Sequence, residues 1–189
     1  MSRSAYEDLL AMQNAMLLTS DMGLADKLMI NRAVSPTDTV WPSANRAYFV
    51  KLWNPAEFWA ERMWCLTGAT GAGNIDMGIY ALNGTTLTLL RSTGSASQTA
   101  GNLADTNPLT SSLLVPEGEI VLAVAMDTGT DTFLRETIAD FSLYYDHLCR
   151  YAYMDSAFPL PATATPLAPT GLTTGPPIFG VYNESWQDF

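Results

Sequence analysis

From Val40 onward, proline and glycine interrupt this chain at short and fairly regular intervals, and that punctuation limits the fold more than any other feature. Pro42, Pro55, Gly68, Gly71, Gly73, Gly78, Gly84, Gly94, Gly101, Pro108, Pro116, Gly118 and Gly129 leave no room for a long helix between them. The segments that remain are short and rich in β-branched and aromatic residues: Ala47–Trp53, Asp76–Leu82, Thr85–Arg91, Glu119–Met126 and Phe133–Tyr144. Short strands separated by turn residues predict an antiparallel sandwich. The clearest hairpin signal is Asn83-Gly84, which predicts a type I′ turn between Met77–Leu82 and Thr85–Leu90. After it, Thr86 and Thr88 alternate with Leu87 and Leu89, which puts hydroxyls on one face and leucines on the other. Pro116-Glu117-Gly118 predicts a second turn leading into the apolar strand Ile120–Ala125. Ser92 to Ser112, polar and poor in charge, predicts a long loop or irregular edge.

The two ends of the chain differ from this middle. Ser4 and Glu7 have capping-box spacing, and Leu9, Met12, Met16 and Leu17 recur at near-helical intervals before Gly23. Residues 1–35 are therefore predicted to be a short helical arm, either docked elsewhere or lying on its own domain. Residues 36–155 are predicted to form the sandwich. From Ser156 to Asn183 no residue is charged, and six of the eleven prolines fall in that span. Residues 156–189 are predicted to form an extended, Pro-rich arm with Ile178–Tyr182 returning as a strand. The arm carries Phe158, Leu160, Leu167, Leu172, Ile178 and Phe179, so it is expected to wrap over its own domain or a neighbour.

With 189 residues the chain has room for one domain with arms. Nine basic residues against nineteen acidic ones give a net charge of −10, which opposes binding to nucleic acid or anionic lipid. Charged residues make up only 15% of the chain, well below the roughly 25% usual for soluble domains. Burial against neighbouring subunits is one explanation, and polarity supplied by Gly, Ser and Thr is another. The longest apolar run, Ile120 to Met126, is far shorter than a membrane span. Glu7 and Asp8 occupy the place of the basic n-region of a secretory signal, so synthesis in a cytoplasm is expected.

Candidate chemistry is sparse. His147 is the single histidine, and its neighbour Asp146 would point to the opposite face of a strand, which is poor geometry for a triad. Gly71-Ala72-Gly73 lacks the remaining spacing of a dinucleotide loop and the lysine of a phosphate loop. Asp127-Thr128-Gly129 matches three letters of an aspartic-protease site but is better read as a turn. Asp76, Asp105, Asp127 and Asp131 are scattered through turns with no calcium-loop spacing. Cys65 and Cys149 are expected to be free thiols. No catalytic residue, metal or cofactor is assigned. Trp41, Trp53, Trp59 and Trp64 crowd together, with Tyr48, Phe49 and Phe58 between them. They predict core and subunit seam, with a sugar-stacking platform built on Trp41, Trp53 and Trp59 as the alternative.

Several segments together resemble a known group. Trp41-Pro42-Ser43-Ala44-Asn45-Arg46-Ala47, Gly73-Asn74-Ile75-Asp76-Met77-Gly78-Ile79-Tyr80 with Asn83-Gly84-Thr85, and Arg91-Ser92-Thr93-Gly94 are similar to small virion proteins of tailed bacteriophages. So are Pro116-Glu117-Gly118 with Leu122–Asp127, Leu160-Pro161-Ala162-Thr163-Ala164-Thr165-Pro166, and Pro177-Ile178-Phe179-Gly180. The resemblance spans about residues 40 to 180. It implies a jelly-roll-like β-sandwich on a phage particle, as a fibre, tail or head-surface component, with no catalytic residues. The partners expected are copies of the chain itself, as a trimer, and other virion proteins. Met12, Met16, Leu160, Leu167, Ile178 and Phe179 are the expected contact residues. A host-receptor or glycan-binding module is the alternative.

Overall fold

A computed structural model describes residues 37–54, 57–101, 104–135, 151–167 and 177–183. Among them are twelve strands and no helix: β1 Thr37–Val40, β2 Arg46–Asn54, β3 Phe58–Leu66, β4 Asn74–Asn83, β5 Thr86–Ser92, β6 Ala96–Ser97, β7 Ala104–Val115, β8 Gly118–Met126, β9 Thr132–Arg135, β10 Tyr151–Met154, β11 Thr163–Ala164 and β12 Phe179–Tyr182. The expected helical arm lies outside the described residues. Every strand pairing is antiparallel. A seven-stranded sheet runs β10-β2-β8-β4-β5-β11, with β6 attached to β4; a three-stranded sheet runs β12-β3-β7; β1 pairs with β9.

The central strands of the large sheet are buried on both faces, which is why β8 reads as a continuous apolar run rather than an alternating one. One face carries Tyr48, Val50, Leu52, Ile75, Met77, Ile79, Ile120, Leu122 and Val124. These share a core with Ala60, Met63 and Cys65 of β3, Leu109 and Val115 of β7, and Phe179 and Val181 of β12. At one end of that core the Trp41 ring meets Tyr48 and Phe133 edge-on, with centroids 5.2 and 4.9 Å away. The other face carries smaller residues, Ala47, Ala123 and Ala125, beside Phe49, Tyr80 and Leu87. Residues 155–167 lie across this face as a strap, burying Ala157, Leu160 and Ala164 on it.

The large sheet is curled. β10 and β11 stand at its opposite ends, five strand spacings apart, or about 24 Å if the sheet were flat. Yet Leu167, three residues after β11, exchanges backbone hydrogen bonds with Tyr153 of β10 at 3.0 and 2.8 Å. Three residues reach about 11 Å. Even with one further strand spacing the ends can meet this way only if the sheet bends around the strap.

One sequence expectation changes, and two others are met in part. Of the two readings of Ser92–Ser112, a long loop or an irregular edge, the structure has the edge: the stretch contains β6 and most of β7, an outer strand whose pairing with β3 shifts register. Pro108 is tolerated there because β7 is the outer strand of its sheet among the described residues. The β4–β5 hairpin turns at Gly84-Thr85, since Asn83 and Thr86 already pair. Only Gly84 has positive φ, at 63°, the pattern of a type II′ turn rather than the I′ turn expected at Asn83-Gly84. Of Phe133–Tyr144, the described strand covers Thr132–Arg135, and the rest lies outside the described residues.

Candidate interaction surfaces

The aspartates that looked scattered in sequence converge on backbone groups. Asp131, fully buried, accepts hydrogen bonds from the N–H groups of Ala72 (2.9 Å) and Gly73 (3.2 Å). Asp127 accepts from the backbone and the side-chain amide of Asn74, both at 2.7 Å. Asp38 accepts from the Ala69 N–H at 3.1 Å. Asp105, also buried, accepts from the Thr99 N–H (2.9 Å) and Asn107 Nδ2 (3.1 Å). By these bonds the carboxylates tie down the backbone at Ala69, Ala72, Gly73, Asn74 and Thr99 and the side chain of Asn107. The same bonds occupy the amides of Ala72 and Gly73, which are therefore already committed to Asp131 and not to a phosphate. Asp127-Thr128-Gly129 is a turn between β8 and β9. Among the described residues no three His, Cys, Asp or Glu side chains come close enough to hold a metal. His147 and Cys149 lie outside the described residues.

Asp76 is different. Its side chain is 1% exposed, on the strap face of β4, where it accepts the Leu160 N–H at 2.9 Å and faces Thr93 Oγ1 at 3.4 Å. Burial raises its pKa, and the hydrogen bonds from Leu160, Thr93, Ser92 and Gly94 oppose that rise. The rest of the strap is held in the same manner. Tyr80 Oη donates to the Pro161 carbonyl (2.8 Å), Leu89 N–H to the Ala162 carbonyl (2.9 Å), and Ala157 N–H to the Asn45 carbonyl (2.7 Å). Asp155, at the start of the strap, takes a two-pronged contact from Arg46 at 2.7 and 3.2 Å, and the Arg46 guanidinium lies 4.5 Å over the Tyr153 ring. The Arg46 hydrogen bonds lower the Asp155 pKa. Leu160 rests on Gly78, where a Cβ would come within 2.8 Å of Leu160 Cδ1.

Placement of the candidate residues divides them. Leu160, Ile178 and Phe179 are buried in this chain's own cores, so as folded they present no free surface to a neighbour. Leu167 is exposed. Met12 and Met16 lie outside the described residues. Trp41 is 1% exposed, its Nε1 donating to the Arg46 carbonyl at 3.1 Å, which corrects its place in a stacking platform, since no ligand reaches the ring. The Trp53 side chain lies outside the described residues. Trp59 is 52% exposed.

Trp59 has a companion that sequence reasoning missed. Leu114 of β7 is its direct cross-strand partner and is 42% exposed. The neighbouring Thr110, Ser111 and Ser112 of β7 are exposed too, and Thr106 to Val115 contain no charge. The alternation around Trp59 gave no warning, because the β3–β7 register shifts between Ala60 and Arg62.

No family model, no curated protein and no solved structure matches this chain.

Proposed function

We propose that this chain is a non-enzymatic structural protein of a tailed-bacteriophage particle, built on a jelly-roll-like β-sandwich and working as an oligomer. The sandwich reading is supported by the core that the seven- and three-stranded sheets share. The phage reading is supported by the sequence segments between residues 40 and 180 described above. Assembly is the mechanism: a rigid body presents a contact surface to copies of itself and to other virion proteins.

The observation that carries the oligomer reading is the exposed Trp59–Leu114 pair beside an uncharged stretch of outer strand. A large indole and a leucine side by side in water are what an interface would cover. Light scattering behind a sizing column tests this. The intact chain is expected to run as a trimer or other closed oligomer, and the variant Trp59→Ser/Leu114→Ser as a smaller species with an unchanged circular dichroism spectrum. An intact chain that stays monomeric overturns the reading. Mass spectrometry of purified particles of the phage that encodes it tests the virion assignment.

Trp59 also favours one second reading, a host-glycan contact centred on that ring alone. Glycan-array binding lost in Trp59→Ala, by a chain whose mass is that of a monomer, would replace the assembly reading with this one.

A further inference from the structure

The tip of the β4–β5 hairpin places a side-chain amide beside an open peptide N–H. The ladder closes at Asn83 and Thr86, which leaves Gly84 and Thr85 at the corner, and all four residues are exposed. Gly84 has positive φ, at 63°, and a Cβ built on it would meet nothing within 4 Å. Its N–H makes no hydrogen bond among the described residues. The Asn83 side chain is scarcely held either, since its Nδ2 lies 3.5 Å from Thr88 Oγ1, at the outer limit of a hydrogen bond.

The other asparagines among the described residues lack that combination. Asn54 and Asn107 are each followed by proline, which has no N–H to give up. After Asn45 comes Arg46, whose N–H is committed to the Ser43 carbonyl at 3.2 Å. Asn74 is gripped by Asp127 through both its backbone N–H and its Nδ2, at 2.7 Å each. The residue after it, Ile75, is buried between β6 and β8. Asn183 adjoins residues outside the described ones. Asn83 alone in this set has a loosely held amide next to a free and uncrowded backbone nitrogen.

We infer that Asn83 is a site of non-enzymatic modification with water as the co-reactant, its amide passing in the folded chain to aspartate and isoaspartate through a cyclic imide with Gly84. The Gly84 nitrogen attacks Asn83 Cγ. The new N–Cγ bond replaces Cγ–Nδ2, and Nδ2 leaves as ammonia with the proton that Gly84 gives up. Water then opens the ring. Cleavage of the N–Cγ bond yields aspartate, and cleavage of the bond from that nitrogen to the main-chain carbonyl carbon of Asn83 yields isoaspartate. Nothing is oxidised or reduced. Glycine favours the step because no side chain crowds the attacking nitrogen. Either product adds negative charge to a chain already at −10. Isoaspartate also inserts a methylene group into the main chain beside the Asn83–Thr86 pair.

Peptide mapping by mass spectrometry follows the change in the full-length chain, held folded at mildly alkaline pH beside a parallel sample in urea. Conversion is expected at Asn83 ahead of Asn45, Asn54, Asn74 and Asn107, with uptake of oxygen from isotope-labelled water. The native rate is expected within about tenfold of the urea rate, because a tip that neither bonds nor covers the Gly84 nitrogen adds little to the barrier. Methyl transfer by an isoaspartyl methyltransferase should appear on the same peptide. Asn83→Gln, whose imide needs a larger ring, should lose both signals with Gly84 left in place. If Asn83 stays intact in the folded chain while it converts in urea, the hairpin shields it and the inference is overturned. Conversion led by Asn45 or Asn74 overturns it as well.

Discussion

Leu160 and Gly78 make a pair whose coupling is measurable. A methyl group added at Gly78 would stand 2.8 Å from Leu160 Cδ1, 3.0 Å from Leu89 Cδ1 and 3.2 Å from the Arg91 carbonyl oxygen. Overpacking of this kind costs about 1–3 kcal/mol. Two of the three contacts are ends of flexible side chains, and loss of glycine freedom in the unfolded chain returns about 0.4–1 kcal/mol. Gly78→Ala should therefore destabilise by about 1 kcal/mol. Leu160, 7% exposed, should cost about 3 kcal/mol as Leu160→Ala, within the about 2–5 typical of buried leucine. In the double variant the new methyl points into the space that Leu160 vacates. The combined loss should then fall below the sum of the single losses by at least about 1 kcal/mol, which for a chain of this size is about 2–4 °C in Tm. Urea titration followed by tryptophan fluorescence, at one protein concentration and with constant slope, gives the three values. Additivity to within about 0.5 kcal/mol would refute the argument that the strap is seated on Gly78 by contact.

Three further outcomes are expected. Asp76 has a folded-state pKa above its unfolded one, so it contributes stability that is present at low pH and lost as pH rises through the folded value. The urea midpoint of the wild-type chain relative to Asp76→Asn should therefore rise as the solution is acidified from neutrality, and a difference that is flat with pH would remove Asp76 as the cause. Gly180→Ala would place its Cβ 2.8–2.9 Å from the rigid Trp64 indole, so it should cost at least about 2 kcal/mol, more than Gly78→Ala; a smaller loss by urea titration would mean that β12 moves to make room. Cys65 is fully buried, and burial, helped by the nearby Asp105 charge, pushes its thiol pKa up. In a Cys149→Ser chain its reaction with a soluble thiol reagent should follow global unfolding across a urea series, and fast labelling in dilute buffer would place it elsewhere.

Much of the fold was legible because turn chemistry is local. Pro116-Glu117-Gly118 marks its turn, and Ile178–Tyr182 reads as the strand that becomes β12. The hairpin after β4 was found but placed one residue early, because Asn-Gly is the stronger turn signal while the register of β4 against β5 puts Gly84 first in the turn. β7 could be read only as a loop or an irregular edge, because Pro108 and the polar residues around it lack strand propensity, and pairing with β3 is what makes them extended.

The surfaces were less legible. The same side chain reads as contact or core depending on what packs against it, so Leu160, Ile178 and Phe179 could be recognised as needing cover but not assigned a place. Trp41 and Trp59 are the same residue type eighteen positions apart, and the sheet pairing alone buries one among Tyr48 and Phe133 and leaves the other beside Leu114. By itself the sequence determined an antiparallel all-β body and an uncharged stretch whose apolar residues needed cover, because backbone dihedrals and hydration are properties of each residue and its neighbours. Tertiary structure alone decided that residues 155–167 strap the inner face of a curled sheet, that four scattered aspartates bind backbone amides, and which tryptophan faces water. Those outcomes depend on which distant strands meet, and no local preference encodes that.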